Sequence, residues 1–115
     1  MQRPANHHRL AEIDAPEKRQ ESGKESTESL KRLCLNKKAT VKPETVDRYG
    51  RTVARVNCGG TDASSEQVKL GMAWVYDRFA TDQELYALQD DARTKKRGLW
   101  RKKSPTPPWI WRKNK

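Results

Sequence analysis

Apolar residues are scarce in this chain: 33% of it is hydrophobic against 35% charged, with a single phenylalanine among 115 residues. That excludes a large core and more than one domain. Nothing approaches the roughly 18 consecutive apolar residues of a membrane span, and no leading apolar stretch reads as an export signal. A soluble monomer without membrane contact is expected. Cysteine is limited to Cys34 and Cys58, with neither C-x-x-C nor zinc-ligand spacing, so a disulfide and two buried thiols are both open. Acid is missing from one end. Residues 92–115 hold ten Lys or Arg and no Asp or Glu, so the formal net charge of +10 lies there, while residues 1–91 carry 15 basic and 15 acidic side chains. Such an end attracts polyanions, against the plainer reading of a solubilising tail.

Aromatic residues are present instead: four Trp, three Tyr and the one Phe, expected to supply much of a small core. Residues 1–8 form an irregular lead without an acidic group. His7 and His8, adjacent on an extended chain, face opposite ways and make poor co-ligands. Arg9 to Ile13 reads as a strand. Ser22-x-x-Glu25 is a capping box opening a helix with Leu30, Leu33 and Cys34 on one face, which Asn36 can end. Ala39–Val46 and Arg51–Cys58 read as a hairpin turning through Asp47-Arg48-Tyr49-Gly50. A short helix over Ser64–Leu70 stops at Gly71, an extended run covers Met72–Phe79, and Trp74 and Val75 are assigned to the core. Thr81-x-x-Glu84 is a second capping box, opening a helix with Leu85, Leu88 and Ala92 on one face and Gly98 as its end. Ser104–Lys115 holds three prolines and reads as an extended basic strap anchored by Trp109 and Trp111.

The densest chemistry sits in Arg9-Leu-Ala-Glu-Ile-Asp14-Ala-Pro-Glu17, one guanidinium and two carboxylates flanking a proline. Pro16 keeps Ala15 extended, so Asp14 and Glu17 lie on a stiff strand exit. Such a stretch suits a hard oxygen-binding cation beside a fixed positive charge, although a strand ending in a solvated acidic turn would look the same. Strict alternation would put Arg9 and Asp14 on opposite faces, so a shared site requires a bend.

With Tyr49-Gly50-Arg51, Gly71-Met-Ala-Trp-Val-Tyr76, Arg97-Gly-Leu-Trp100 and Pro107-Pro-Trp-Ile-Trp-Arg112 following in order, the chain resembles the staphylococcal nuclease family from about Arg9 to Arg112. The resemblance implies an α+β fold, an OB-type β-barrel with three helices, over residues 9–103, with 104–115 packed on it. The family's opening hairpin, with its Asp-Gly-Asp stretch, has no counterpart here, so about three strands and an open barrel edge are expected. It implies calcium-dependent hydrolysis of phosphodiesters in DNA or RNA, single strands preferred. Calcium would sit on Asp14 and the Ala15 carbonyl. Glu17 would be general base or water positioner, and Arg9 and Arg51 would clamp the phosphate, a task suited to planar guanidinium forks. Tyr49, Tyr76, Arg101, Lys102 and Lys103 would contact nucleic acid. The family weakly favours an extracellular or periplasmic location. The alternative reading is a nucleic-acid-binding module with an incomplete metal site.

Overall fold

The computed structural model describes residues 8–47, 50–78 and 80–114, and shows an α+β fold whose main sheet stays open. Strand β1 (His8–Leu10) lies parallel to β4 (Thr52–Cys58), with Arg9 opposite Val53. After β1 the chain turns at Ala11-Glu12, with Glu12 in the left-handed region at φ 68°, and continues as β2 (Ile13–Asp14). Strand β2 pairs with β6 (Trp74–Val75) in a separate two-stranded sheet. The expected strand over Arg9–Ile13 is therefore two strands in two sheets, and the first begins at His8 rather than after an irregular residue 8.

The hairpin forms as expected. Strand β3 (Ala39–Val46) runs antiparallel to β4, with a register shift between Pro43 and Thr45, where proline cannot donate to the ladder. Gly50, at φ 80°, makes the turn. Every residue of β3 is exposed, and among the described residues it pairs with β4 alone, on one edge. Strand β5 (Thr61–Asp62) adds a short antiparallel piece to β4. Six short strands are described where about three were expected.

Helix α1 spans Gly23–Cys34. Ser22 precedes it in the left-handed region and its side chain caps nothing, so the first capping box does not form. The buried face is not the leucine face either. Ser26 and Ser29 are buried, donating to the Met72 carbonyl and to Gln67, while Leu30, Leu33 and Cys34 are half-buried. Cys34 bonds to Cys58, which settles the open cysteine question and ties the end of α1 to the end of β4. A cross-link spanning 24 residues is worth about 3 kcal/mol in a chain-entropy account.

Helix α2 (Ala63–Lys69) is capped by Asp62, which accepts from the Ser65 N–H, and stops at Gly71 as expected. Helix α3 (Gln83–Thr94) is capped by Asp82, not by Thr81, whose N–H and hydroxyl both donate to Glu12. A 3₁₀ turn covers Gly98–Arg101. The tail is not extended throughout, since Pro108–Lys113 forms a fourth helix, α4. Proline is well placed at a first helical position, where its missing N–H costs nothing, so a proline run can start a helix as easily as prevent one.

The central cluster is aliphatic, Ile13, Val68, Ala73, Val75 and Leu85, with Leu10, Leu88 and Tyr86 packed against it, and Trp100 is the one buried aromatic among the described residues. Val75 is buried as expected, whereas Trp74 is half-buried and belongs to a row of rings beside the core. Among the described residues, no helix is long and apolar enough to cross a membrane.

Candidate active site

The bend at Glu12 decides what Arg9 can reach. Glu12 is pinned by the N–H groups of Thr81 and Asp82, at 2.6 and 2.8 Å, and by Arg55 at 2.5 Å. Burial disfavours the Glu12 charge, but these bonds outweigh it and hold its pKa below the usual carboxylate range. Because the chain changes sheets there, Arg9 and Asp14 converge, with guanidinium and carboxylate 3.9 Å apart. Asp14 is only 6% exposed. Pro16 is buried, and Glu17 opens a tight turn in which Gln20 bonds its backbone in both directions. Gly23 lies so close to this turn that a Cβ there would sit 1.9 Å from the Glu17 carbonyl oxygen, so glycine is needed for the Glu17 turn to rest on α1.

The tail contributes a further guanidinium. Arg112, on α4, donates to both Asp14 oxygens at 3.2 and 2.6 Å and to Glu17 at 3.0 Å. Hydrogen bonding to Asp14 raises its pKa further above the ordinary arginine value despite partial burial. One helical turn earlier, Trp109 stacks on Tyr76, centroids 5.2 Å apart at 13°, and the Arg9 guanidinium lies 5.2 Å from the same Tyr76 ring. Gln20 donates to the Thr106 carbonyl at 2.6 Å, fixing where the tail crosses the Glu17 turn. The site is thus two carboxylates among two arginines, bordered by a tyrosine that a tail tryptophan covers.

Comparison with known proteins sets this geometry in a family. The model for staphylococcal nuclease homologues matches residues 7–102. An Escherichia coli protein named an uncharacterized endonuclease is 46% identical over 108 residues, covering 93% of this chain and 71% of its own. The chain belongs to the staphylococcal nuclease family. A micrococcal nuclease of Shigella flexneri is 36% identical, covering 91% of this chain and 67% of its own. A staphylococcal-like nuclease of Arabidopsis thaliana is 39% identical, and there the match takes in 33% of the longer plant protein.

Of the residues the staphylococcal nuclease resemblance singled out, the structure gathers Arg9, Asp14 and Glu17 with Tyr76 at their border. Arg51 is bound by Asp47, which accepts from its Nε and its backbone N–H, both at 2.9 Å. The register sets Arg9 beside Val53, and carrying the alternation of β4 back to Arg51 puts it on the face of Arg9. Tyr49 lies outside the described residues. Arg101 bonds Glu25 at 3.0 Å and Lys102 bonds Glu21, while Lys103 is exposed.

Asp14, Glu17 and the Ala15 carbonyl are hard oxygen donors, the right chemistry for calcium, which takes six to eight oxygens. The number falls short. Among the described residues no group of three or more His, Cys, Asp or Glu could hold a metal ion, and Arg112 engages both Asp14 oxygens. The arrangement as it stands does not fit a tightly held cation.

Arg112, Arg55 and Glu12 were not singled out from the sequence. Arg112 is 98 positions from Asp14, and nothing local signals that separation. The one available sign was Trp109 and Arg112 at i, i+3 behind a helix-starting proline.

Proposed function

We propose that this chain hydrolyses phosphodiester bonds in DNA or RNA, and that Arg9, Glu17 and Arg51 do the chemical work. The convergence of Arg9 with Asp14, brought about by the sheet change at Glu12, with Glu17 joined to Asp14 through Arg112, carries the reading. Arg9 would grip a non-bridging phosphate oxygen and stabilise the charge that grows there as water attacks phosphorus and the P–O bond to the leaving alcohol breaks. Glu17, 38% exposed, is open enough to take the proton of that water. Asp14 orients Arg9 and compensates its charge. Arg51, which the strand register puts on the face of Arg9, would leave Asp47 to serve as a second clamp.

For substrate to bind in this way, Arg112 must loosen its hold on Glu17. Calcium enters the reading from the family resemblance, and it would require Arg112 to leave Asp14 and further oxygen donors, water included. The hold of Arg112 on both carboxylates is also what favours the second reading, a nucleic-acid-binding module without hydrolysis. A single experiment separates them: cleavage of single-stranded DNA with and without calcium by the chain and by its Arg9→Ala and Glu17→Gln forms. Hydrolysis predicts kcat lower by about 10²–10³-fold for Arg9→Ala, with KM little changed. Retained strand binding without cleavage by the unaltered chain would leave the binding module.

A further inference from the structure

On the far side of the aromatic row from Arg9 lies a concavity of about 620 Å³ with Trp74, Trp100, Arg93, Lys96 and Lys103 in its wall, within the ordinary size of a small-ligand site. Arg101 and Lys102 also line it, but they are engaged by Glu25 and Glu21. Among the described residues no carboxylate pairs with Arg93, Lys96 or Lys103, and Asp91 at the same helix end is taken by Lys95 and Arg97. The Arg93 guanidinium lies 5.3 Å over the Trp100 ring, a contact that orients its planar fork while the residue stays exposed.

Lys96 is placed there by the backbone. It sits at φ 55°, just past the end of α3, in a Schellman motif where the Lys96 N–H bonds the Arg93 carbonyl and the Arg97 N–H bonds that of Ala92. Glycine is favoured at that position, yet the chain carries a lysine. The motif fixes the Lys96 backbone at the rim of the concavity.

The concavity is also joined to the catalytic cluster. Trp100 lies 4.6 Å from Trp74, Trp74 lies 5.6 Å from Trp109, and Trp109 lies 5.2 Å from Tyr76, which meets Arg9. Three ring-to-ring steps of this length span roughly two to four nucleotides, taking about 3.4 Å for each when stacked.

We propose that this concavity is a second phosphate site, in which Arg93, Lys96 and Lys103 grip the backbone of a single strand a few nucleotides from the phosphate at Arg9. The ligand class rests on the nuclease reading; the site itself rests on three cations, none paired with a carboxylate among the described residues, in one wall with the Trp74 and Trp100 indoles. All three cations are exposed and so open to an incoming strand, and their shared positive sign favours an anion there.

The test uses the full chain carrying Glu17→Gln, which slows cleavage while binding is measured. Fluorescent single strands of about four and about sixteen nucleotides are titrated over a series of salt concentrations. Neutralising Arg93, Lys96 and Lys103 together with glutamine should weaken binding of the long strand and shallow its log affinity against log salt slope by about 2, at roughly 0.7 per phosphate contact. Binding of the short strand should change little. A matched variant, Lys31, Arg32 and Lys38 to glutamine at the end of α1, should leave the long-strand slope nearly as it was. Equal loss in the matched variant would show a diffuse field and overturn the site, as would an unchanged slope in the first variant. If the chain binds neither strand, the nuclease reading falls as well, so the two failures are distinguishable. Circular dichroism melts of each variant exclude unfolding as the cause.

Discussion

Two clusters of arginine and carboxylate stand two residues apart in the chain, and they are built on opposite plans. Glu12 takes hydrogen bonds from Thr81, Asp82 and Arg55, and Arg55 in turn reaches Asp62 and Asp82, the caps of α2 and α3. Each member is held by several elements, so the cluster locks β4, both helix starts and the bend together. Asp14 and Glu17 are held differently. Beyond Arg9 at 3.9 Å, their charged partner is Arg112, from a six-residue helix near the end of the chain. Parting the first cluster would break contacts with three elements, whereas parting the second from Arg112 would displace one six-residue helix and leave Asp14 with Arg9. Ion pairs of similar appearance thus tie together several elements in one place and one short helix in the other.

The comparison is broken most severely at Arg55. Arg55→Met should destabilise the chain by about 3 kcal/mol, because it strands Glu12, 8% exposed, beside two other carboxylates. Urea unfolding measures this. A loss no larger than that of an exposed pair would mean that the lock is not a lock.

Arg112→Gln should cost less, about 1 kcal/mol, since Asp14 keeps Arg9 and Arg112 is one-third exposed. The same change should tighten calcium binding about tenfold, because a competing cation has left Asp14; a tenfold change corresponds to about 1.4 kcal/mol. Isothermal titration reads it directly. An unaltered calcium affinity would show that Arg112 does not compete for the site.

The smallest effect is in acid. The pKa values of Glu12 and Asp62 are both lowered on folding, because their hydrogen bonds outweigh burial. A lowered carboxylate pKa adds stability above its unfolded value, near 4 for these groups, and that stability is lost as pH falls through the folded value. Stability should therefore drop progressively below about pH 4, and Glu12→Gln should flatten that limb. Chemical denaturation at stepped pH tests this, and an identical limb in the variant would place the acid sensitivity elsewhere.

Local residue types alone were enough to mark the hairpin, the α2 stop at Gly71 and the existence of three helices, because turn chemistry and helical periodicity act over a few positions. The spacing of Arg9, Asp14, Pro16 and Glu17 likewise marked the candidate site and, with four further motifs, the family. Local residues also misled. Ser22 and Thr81 have capping-box spacing, but Ser22 adopts a left-handed conformation and Thr81 serves Glu12. The leucine face of α1 was legible, yet its serines are what the fold buries.

Only the tertiary structure decided that Cys34 meets Cys58, that Glu12 turns the chain from one sheet into the other, and that Arg112 closes over Asp14 and Glu17. Each is a contact between residues 24 to 98 positions apart, or depends on one. Such a contact forms because many segments together offset the entropy of closing the loop between its ends, and no short stretch of sequence carries that sum.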